Sequence, residues 1–311
     1  MNILDIHKIK NKNYIVLLPE CDSDIKDSVE YSFENVFYFD YKIEKEHIDI
    51  LIDFINKELK QLIIFDYDES YRKILPYIRK KIKIKWIYKS NLSLLTYCQI
   101  RATFNSLMEF YDRSIIDLIG CLDYSTYEVL KNSGYNVEHV LLDVKRKEVK
   151  QRKSNSIGVL GNDYNSNHNT YNQLSALKLV EYSYVKINKN MSATKHFIDF
   201  FDIKEKLVDT FDDVMSNNYV NLYCNFTANN FELILKSMDM GIPCILGNTD
   251  IFDKNNVLKK YLVLESDDDI NEIAYKINTI KDNKELILKE YDKFRTEYIK
   301  NSKKQISKFI N

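Results

Sequence analysis

The chain has 311 residues, of which 45% are hydrophobic and 13% aromatic, so it can form two domains with substantial buried cores. Its 45 basic and 46 acidic side chains nearly cancel, which excludes a global electrostatic footprint for nucleic acid. The five cysteines include no C-x-x-C pair, which argues against a zinc site and a disulfide framework. No signal peptide and no membrane span is evident, so the sequence predicts a cytoplasmic protein.

Short β-rich runs alternate with amphipathic stretches of helical length through the first half of the chain. Strands are predicted at residues 13–19, 36–40, 61–65, 82–88, 114–119 and 137–142. Helices are predicted at residues 45–59, 70–80, 93–111 and 125–133. This alternation is typical of βαβ units, and it predicts a parallel sheet covered by helices.

A basic segment without hydrophobic period, residues 145–155, separates this half from a second α/β half. Its simplest interpretation is a solvated linker between domains at residues 1–150 and 151–311, with phosphate binding as the alternative. The second half has predicted strands at residues 156–160, 183–187, 219–224, 242–246 and 261–264. Its predicted helices are residues 170–180, 191–201, 211–217, 231–240, 269–280 and 284–310. We expect the last, long amphipathic helix to pack back across the two domains.

The stretch from Tyr219 to Leu246 is the best candidate for a ligand site. It predicts a strand, a polar loop at residues 225–230, a helix and a second strand. Asn229 or Asn230 suits the helix N-cap, and Gly241 stands where a C′ glycine belongs. Such a loop aims the amides of a helix start at the carboxyl end of a sheet, where anions bind. The plain alternative is an ordinary βαβ unit with a well-capped helix.

Residues 220–248, VNLYCNFTANNFELILKSMDMGIPCILGN, resemble the donor-binding core of bacterial GT-B glycosyltransferases of the retaining, glycogen-synthase-like superfamily. The resemblance extends to IGVLG at residues 157–161, HNTYNQLSA at residues 168–176 and LKKYLVL at residues 258–264. It implies a GT-B-like α/β fold of two Rossmann-like domains with parallel sheets and a cleft between them. It also implies a nucleotide-diphosphate sugar as donor, bound in that cleft without a metal or another cofactor.

The E-x7-E motif of that family is degenerate in this chain. Its two glutamates, which the resemblance links to the transferred sugar and to the ribose, fall at Ala228 and Lys236. The basic residue that faces the donor diphosphate falls at His168, a weaker and pH-dependent cation. No catalytic residue is predicted. The resemblance and the loops together nominate these donor-binding residues: Gly161, Asn162, His168, Asn169, Thr227, Asn229, Asn230, Glu232 and Lys236.

Glu232 and Lys236 stand four residues apart on the predicted helix, in the favourable orientation for an ion pair. The simplest interpretation is a solvated surface pair. The functional alternative is that Glu232, one turn nearer the phosphate end, contacts a donor hydroxyl.

Two acidic stretches in the first half offer other interpretations. Asp66 and Asp68 follow a predicted strand and suit a divalent cation, although strand ending by Asp66 and helix capping by Asp68 or Ser70 are simpler. Glu20 and Asp22 follow the first strand, where GT-B enzymes often place acceptor contacts, so we assign them to the acceptor side. Capping is again the plainer role.

The leading hypothesis is a glycosyltransferase that transfers the sugar of a nucleotide-diphosphate donor to a glycan, protein or cell-envelope acceptor. Loss of both motif glutamates supports a second hypothesis, a non-catalytic GT-B-fold subunit that partners an active glycosyltransferase. A metal-dependent enzyme built on Asp66 and Asp68 is the third.

Overall fold

The structure is a computed structural model that describes residues 9, 13–19, 25–39, 44–66, 69–92, 98–146, 154–160, 169–190, 192–226, 231–249, 251–252 and 255–311. The chain divides into two compact units. Unit 1 comprises Met1–Lys145 together with Tyr298–Asn311, and unit 2 comprises Arg146–Glu297. Each unit is built around its own parallel β-sheet.

Unit 1 contains a six-stranded sheet in which each pairing between neighbours is parallel. Its strands are β1 (Tyr14–Pro19), β2 (Val36–Phe39), β3 (Gln61–Phe65), β4 (Lys83–Tyr88), β5 (Leu118–Cys121) and β6 (Val137–His139), in the spatial order β2-β1-β3-β4-β5-β6. Its described helices are α1 (Lys26–Ser32), α2 (Lys45–Glu58), α3 (Tyr71–Ile74), α4 (Cys98–Asp112) and α5 (Tyr124–Asn132).

Strands β1 and β3 of unit 1 are apolar on both faces, as strands covered by helices on both sides must be. On β3, Ile63 and Ile64 alternate between two separate hydrophobic clusters. Trp86 on β4 is fully buried, and its ring lies 6.0 Å from the rings of both Tyr71 and Phe110. Trp86 is therefore a core residue of unit 1.

Unit 2 contains a five-stranded sheet, also paired in parallel. Its strands are β7 (Ile157–Val159), β8 (Val185–Asn188), β9 (Glu205–Val208), β10 (Val220–Tyr223) and β11 (Cys244–Leu246), in the spatial order β11-β10-β7-β8-β9. Its described helices are α6 (Thr170–Ala176), α7 (Ser192–Phe201), α8 (Phe211–Met215), α9 (Phe231–Asp239), α10 (Val257–Leu262) and α11 (Ile270–Ile310). The last residues of α11 belong to unit 1.

Helix α11 corrects the prediction of two separate helices at the end of the chain. It runs for 41 residues without interruption. The polar residues 281–284 break the apolar period, but they include neither Gly nor Pro, so nothing in them ends a helix. Among the residues that the structure describes, no helix has both the length and the apolar character needed to cross a membrane.

Two strand predictions also differ from the structure, and some elements were missed. Residues 261–264 were predicted as a strand, but the first two end α10, and only Val263 forms an isolated bridge, with Leu246. The strand predicted at residues 114–119 begins later, at Leu118, because the preceding segment turns sharply after α4 through Ser114 at φ +54°. Helix α1 and strand β9 were not predicted. β9 is an edge strand with a largely exposed surface, so it lacks the apolar signal of the inner strands.

Candidate functional site

The strand, helix and strand predicted around the candidate loop are present in unit 2. β10 and β11 are adjacent and parallel, with Leu222 paired to Ile245, and α9 connects them. Gly241 ends α9 at φ +72°, and its amide donates to the carbonyl of Met238 at 2.9 Å. The predicted C′ glycine is therefore confirmed, because a left-handed residue at this place suits Gly.

The polar edge of unit 2, defined here as Asn169, Gln173, Asn225, Gly247 and Asp267, lies where β10 and β11 end. The Gln173 side chain accepts a hydrogen bond from the amide of Cys224 at 3.4 Å, directly after β10. A Cβ placed at Gly247 would overlap the backbone carbonyl oxygen of Asn225 and would lie 3.1 Å from Asp267 Oδ1. Only glycine fits at this position, and the backbones after β10 and β11 are in close contact.

Asn169 and Asp267 connect the start of α6 to the start of α11. Asn169 has a left-handed backbone at φ +51°, and its Nδ2 donates to the backbone carbonyl of Asp267. Its Oδ1 accepts from Asn172 Nδ2 at 2.8 Å. Asp267 in turn accepts from the amide of Asn248, while burial raises the pKa of its carboxyl group. The Asn169 amide, nominated as donor-binding, is thus held in place by internal hydrogen bonds.

Asn225 differs from the other polar residues of this edge. It is only 4% exposed, and within the described structure neither its Nδ2 nor its Oδ1 has a hydrogen-bond partner. It directly follows Cys224 at the end of β10 and precedes the candidate loop. A buried amide without partners is unusual in folded proteins and calls for an explanation.

Glu232 and Lys236 form the predicted ion pair, but the pair is not solvated. Lys236 Nζ lies 2.5 Å from Glu232 Oε1, and the two side chains are only 16% and 6% exposed, respectively. The solvated interpretation was wrong because this face of α9 packs inward, as its buried neighbours Leu235 and Met238 show. Lys236, at the position matched to the second motif glutamate, therefore places its ammonium group against Glu232 within the protein.

The other nominated residues all lie outside the residues that the structure describes. This holds on the donor side for Gly161, Asn162, His168, Thr227, Asn229 and Asn230, and on the acceptor side for Glu20 and Asp22. Their assignments stay predictions. Ala228, matched to the first motif glutamate, also lies outside.

The metal interpretation of Asp66 and Asp68 gains no support. Asp66 follows β3 at φ +42°, and its Oδ2 lies 3.5 Å from Lys89 Nζ. Asp68 is outside the described residues. Within the described ranges, no three His, Cys, Asp or Glu side chains are grouped so that they could hold a metal ion.

The cysteines of the described residues do not form a reactive centre. Cys121, Cys224 and Cys244 are buried, and Cys98 is exposed. Burial raises the pKa of the Cys121 thiol to about 12 and raises that of Cys224 as well. Such thiols stay protonated and unreactive at neutral pH.

Behind β10 lies an amide network, defined here as Ser156, Asn218, Asn221 and Ser237, which the sequence did not reveal. Asn218 Nδ2 donates to Asn221 Oδ1 at 2.7 Å, and Asn221 Nδ2 donates to Ser237 Oγ at 2.8 Å. Ser156 Oγ donates to Asn218 Oδ1 at 2.9 Å. The network joins β10 to α9, so it positions the helix that begins beside the polar edge. Asparagines are so frequent in this sequence that these two carried no visible signal.

A cavity of about 610 Å³ in unit 2 shares no residue with the polar edge. It is lined by side chains of α10, of the start of α11 and of the segment between them. Its buried Lys276 already donates to the carbonyl of Lys260 at 3.0 Å and lies 3.3 Å from Glu272. The cavity therefore gives no reason to move the candidate site away from the end of β10.

Comparison with known proteins is informative at the level of structure. No protein-family model matches the chain, and no curated protein matches it in sequence. Two structures of TarM, one of them a mutant of the S. aureus protein, align with a TM-score of 0.63 at 12% identity over 85% of this chain. Sucrose-phosphate synthase from Thermosynechococcus elongatus aligns with a TM-score of 0.62 at 10% identity, covering 96% of this chain and 95% of its own.

The fold is GT-B-like. A glycosyltransferase from Rickettsia africae also aligns, with a TM-score of 0.62 at 11% identity over 95% of this chain and 96% of that one. The chain has the two parallel-sheet Rossmann-like domains that the resemblance implied and the long C-terminal helix that the amphipathic pattern predicted. This chain spans 58% of the length of the TarM structures. At identities this low the likeness establishes the fold, and chemistry must be argued from the site.

Proposed function

We propose that this chain binds a nucleotide-diphosphate sugar at the polar edge of unit 2 and transfers the sugar to a glycan, protein or cell-envelope acceptor. The observation that carries the proposal is the start of α9 beside the end of β10, next to the backbone contact at Gly247. Ligands of open parallel sheets bind at the carboxyl ends of the strands. Helix N-termini there favour anions such as a diphosphate.

The charges of α9 are compatible with an anionic ligand. Glu232 in the first turn would repel a diphosphate if it stood alone. Its contact with Lys236 Nζ at 2.5 Å neutralises it, so the first turn carries no uncompensated negative charge from this residue. Transfer then depends on stabilising the departing diphosphate, with helix amides and the predicted cation His168 in that role.

Ligands of the structural neighbours support a uridine nucleotide as the first probe. A TarM structure contains UDP and α-GlcNAc-glycerol, and the pneumococcal O-GlcNAc transferase GtfA, with a TM-score of 0.59 at 13% identity, contains UDP and GlcNAc. We therefore choose UDP and UDP-GlcNAc as test ligands, with ADP and GDP as controls for the base.

A non-catalytic subunit is the second candidate function, and one observation favours it. Lys236, at the position of the second motif glutamate, is paired inside the protein and presents no carboxylate to a ribose. A structure of the GtfA/B complex is also among the neighbours, with a TM-score of 0.56 at 9% identity. In this alternative the chain partners an active glycosyltransferase.

Thermal unfolding with and without nucleotides tests the binding proposal. UDP or UDP-GlcNAc at about 100 times its Kd should stabilise the protein by about 2.7 kcal/mol. Equal, negligible shifts with UDP, UDP-GlcNAc, ADP and GDP would contradict donor binding. Addition of Mn²⁺ should leave a true shift unchanged, since no metal is part of the proposal.

Release of free UDP from UDP-GlcNAc separates the two candidate functions. The double variant Glu232→Lys with Lys236→Glu keeps an ion pair on α9 and restores a carboxylate at the motif position. We expect it to release UDP faster than the unmodified chain if transfer is the function. Binding without UDP release in both proteins would favour the non-catalytic subunit.

A further inference from the structure

The side chain of Asn225 stands apart from the other buried amides of unit 2. Asn221, four residues earlier in the same strand segment, donates to Ser237 and accepts from Asn218. Asn188 accepts from the amide of Asn190 at 2.9 Å. Asn225 is equally buried, yet in the described structure both of its amide atoms are without a hydrogen bond.

A buried amide without partners destabilises the protein, whereas an apolar side chain of the same shape would not. Packing therefore does not explain an asparagine at this position. Unsatisfied buried groups that persist in native proteins often have a functional role. Asn225 also has a position suited to ligands, because it lies at the end of β10 and its backbone is in contact with Gly247.

We propose that Asn225 is a ligand-binding residue whose amide hydrogen-bonds a hydroxyl group of the bound nucleotide sugar. A hydroxyl both donates and accepts, so it can pair with the Nδ2 donor and the Oδ1 acceptor of one amide. Both atoms are covered in the free protein, so binding includes a change of the Asn225 side-chain rotamer. This role of Asn225 rests on the proposed function, in which the residue contributes to recognition of the donor.

Either the ribose or the transferred sugar can supply that hydroxyl, and two ligands distinguish them. UDP contains only the ribose hydroxyls, whereas UDP-GlcNAc adds those of the sugar. If substitution of Asn225 weakens the binding of both ligands, the hydroxyl belongs to the ribose. If it weakens the binding of UDP-GlcNAc alone, the hydroxyl belongs to the transferred sugar.

The variant Asn225→Leu tests the inference, because leucine keeps the volume and removes both polar atoms. We expect its thermal midpoint without ligand to equal or exceed that of the unmodified protein, since no partner is lost. Its affinity for UDP-GlcNAc, measured by calorimetry, should fall by about 10- to 100-fold, the effect of one or two lost hydrogen bonds.

Asn221→Leu is the matched control, since it removes a buried amide that has its partners. It should lower the thermal midpoint without ligand, the opposite of Asn225→Leu. If Asn225→Leu does not fold, Asn225→Ala gives the same comparison with a smaller side chain. Binding of UDP and UDP-GlcNAc by the Asn225 variant with unchanged Kd overturns this inference alone. Absence of nucleotide binding by the unmodified protein overturns the proposed function, and the inference with it.

Discussion

The two sheets of the molecule are both parallel, yet different kinds of side chain hold the helices against them. In unit 1 the contacts around β3 are apolar, and its residues Ile63 and Ile64 enter two hydrophobic clusters. In unit 2 the amide network runs from Ser156 on the β7 side through Asn218 and Asn221 to Ser237 on α9.

The two kinds of contact differ in the side-chain substitutions that they tolerate and in the precision with which they position a helix. Apolar cores accept swaps that conserve volume, because dispersion and hydrophobic contacts have little directionality. Hydrogen-bonded networks require particular atoms at particular distances, and a partly satisfied network is costly. Unit 2 therefore fixes α9 with directional contacts, and α9 begins at the polar edge where we place the ligand.

A second polar contact fixes the other end of α9. Asp239 accepts from Arg295 Nε at 3.0 Å and from the Tyr291 hydroxyl at 2.8 Å, both on α11. The side chains of Arg295 and Asp239 are 1% and 2% exposed. The charges are thus removed from water and compensated by each other, which makes both partners necessary.

The largest effect is expected from Arg295→Met, which breaks this pair. The variant leaves the Asp239 carboxylate buried without its main partner, a change that costs about 3–5 kcal/mol. Arg146 lies 3.9 Å from the same carboxylate but is half exposed, so it compensates only weakly. Urea unfolding followed by far-UV circular dichroism measures the loss.

The double variant Arg295→Met with Asp239→Leu is the control for that experiment. Because it removes both charges, it should recover most of the lost stability. If the free energy of unfolding of Arg295→Met lies within about 1 kcal/mol of that of the unmodified protein, unit 2 does not depend on this contact.

Two glycines allow a direct comparison of the units. A Cβ on Gly158 of β7 would lie 2.5 Å from Asn218 Nδ2 and 2.7 Å from the backbone carbonyl of Val214. A Cβ on Gly120 of β5 would lie 2.9 Å from Cε2 of Phe309, the far end of a side chain. We expect Gly158→Ala to cost about 3 kcal/mol and Gly120→Ala about 1 kcal/mol, within the usual range for overpacking.

The single tryptophan makes this comparison measurable unit by unit. Trp86 is buried in unit 1, so its fluorescence reports on that unit, while circular dichroism reports on both. Gly158→Ala should shift the dichroism transition more than the fluorescence transition. Equal losses of stability in the two alanine variants would mean that the amide network adapts to an added methyl group as well as the apolar core does.

The α/β architecture could be predicted because it depends on patterns that span whole elements. Strand β3 was predicted at its observed bounds, because its run of Leu, Ile and Phe is unbroken and lies between polar residues. The end of α9 was predicted because Gly241 supplies the backbone angle that a helix C′ residue needs.

The candidate site was less predictable, because its properties arise from contacts between distant residues. Asn221 meets Ser237 and Asn169 meets Asp267 only after folding, so no local pattern marks them. The burial of Glu232 with Lys236 depends on what packs against α9, which helical spacing alone does not reveal. Asn225 looks like any loop asparagine until its burial and its lack of partners are known.

The smallest effect is expected where the units are alike, at a buried lysine in each sheet. Lys85 Nζ on β4 donates to the carbonyls of Phe309 and Ile310, the latter at 3.1 Å. Lys186 Nζ on β8 donates to the carbonyl of Ser216 at 2.5 Å. Burial lowers the pKa of both amino groups. Each lysine thus satisfies carbonyls at a helix end, at the cost of a buried charge.

Lys85→Met and Lys186→Met should therefore change stability at neutral pH by only about 1 kcal/mol, because lost hydrogen bonds are offset by the removed charge. A lowered pKa means that the unfolded chain binds the proton more tightly, so the stability contribution of each lysine rises as pH increases from its lowered pKa toward 10.5. Relative to each methionine variant, the unmodified protein should gain stability across that alkaline window, since all other titrations cancel in the difference. Urea unfolding at neutral and alkaline pH measures it, with Trp86 fluorescence for Lys85. A difference that stays flat with pH would show that the buried lysines are not penalised for their charge, and the likeness between the two sheets would then be one of geometry only.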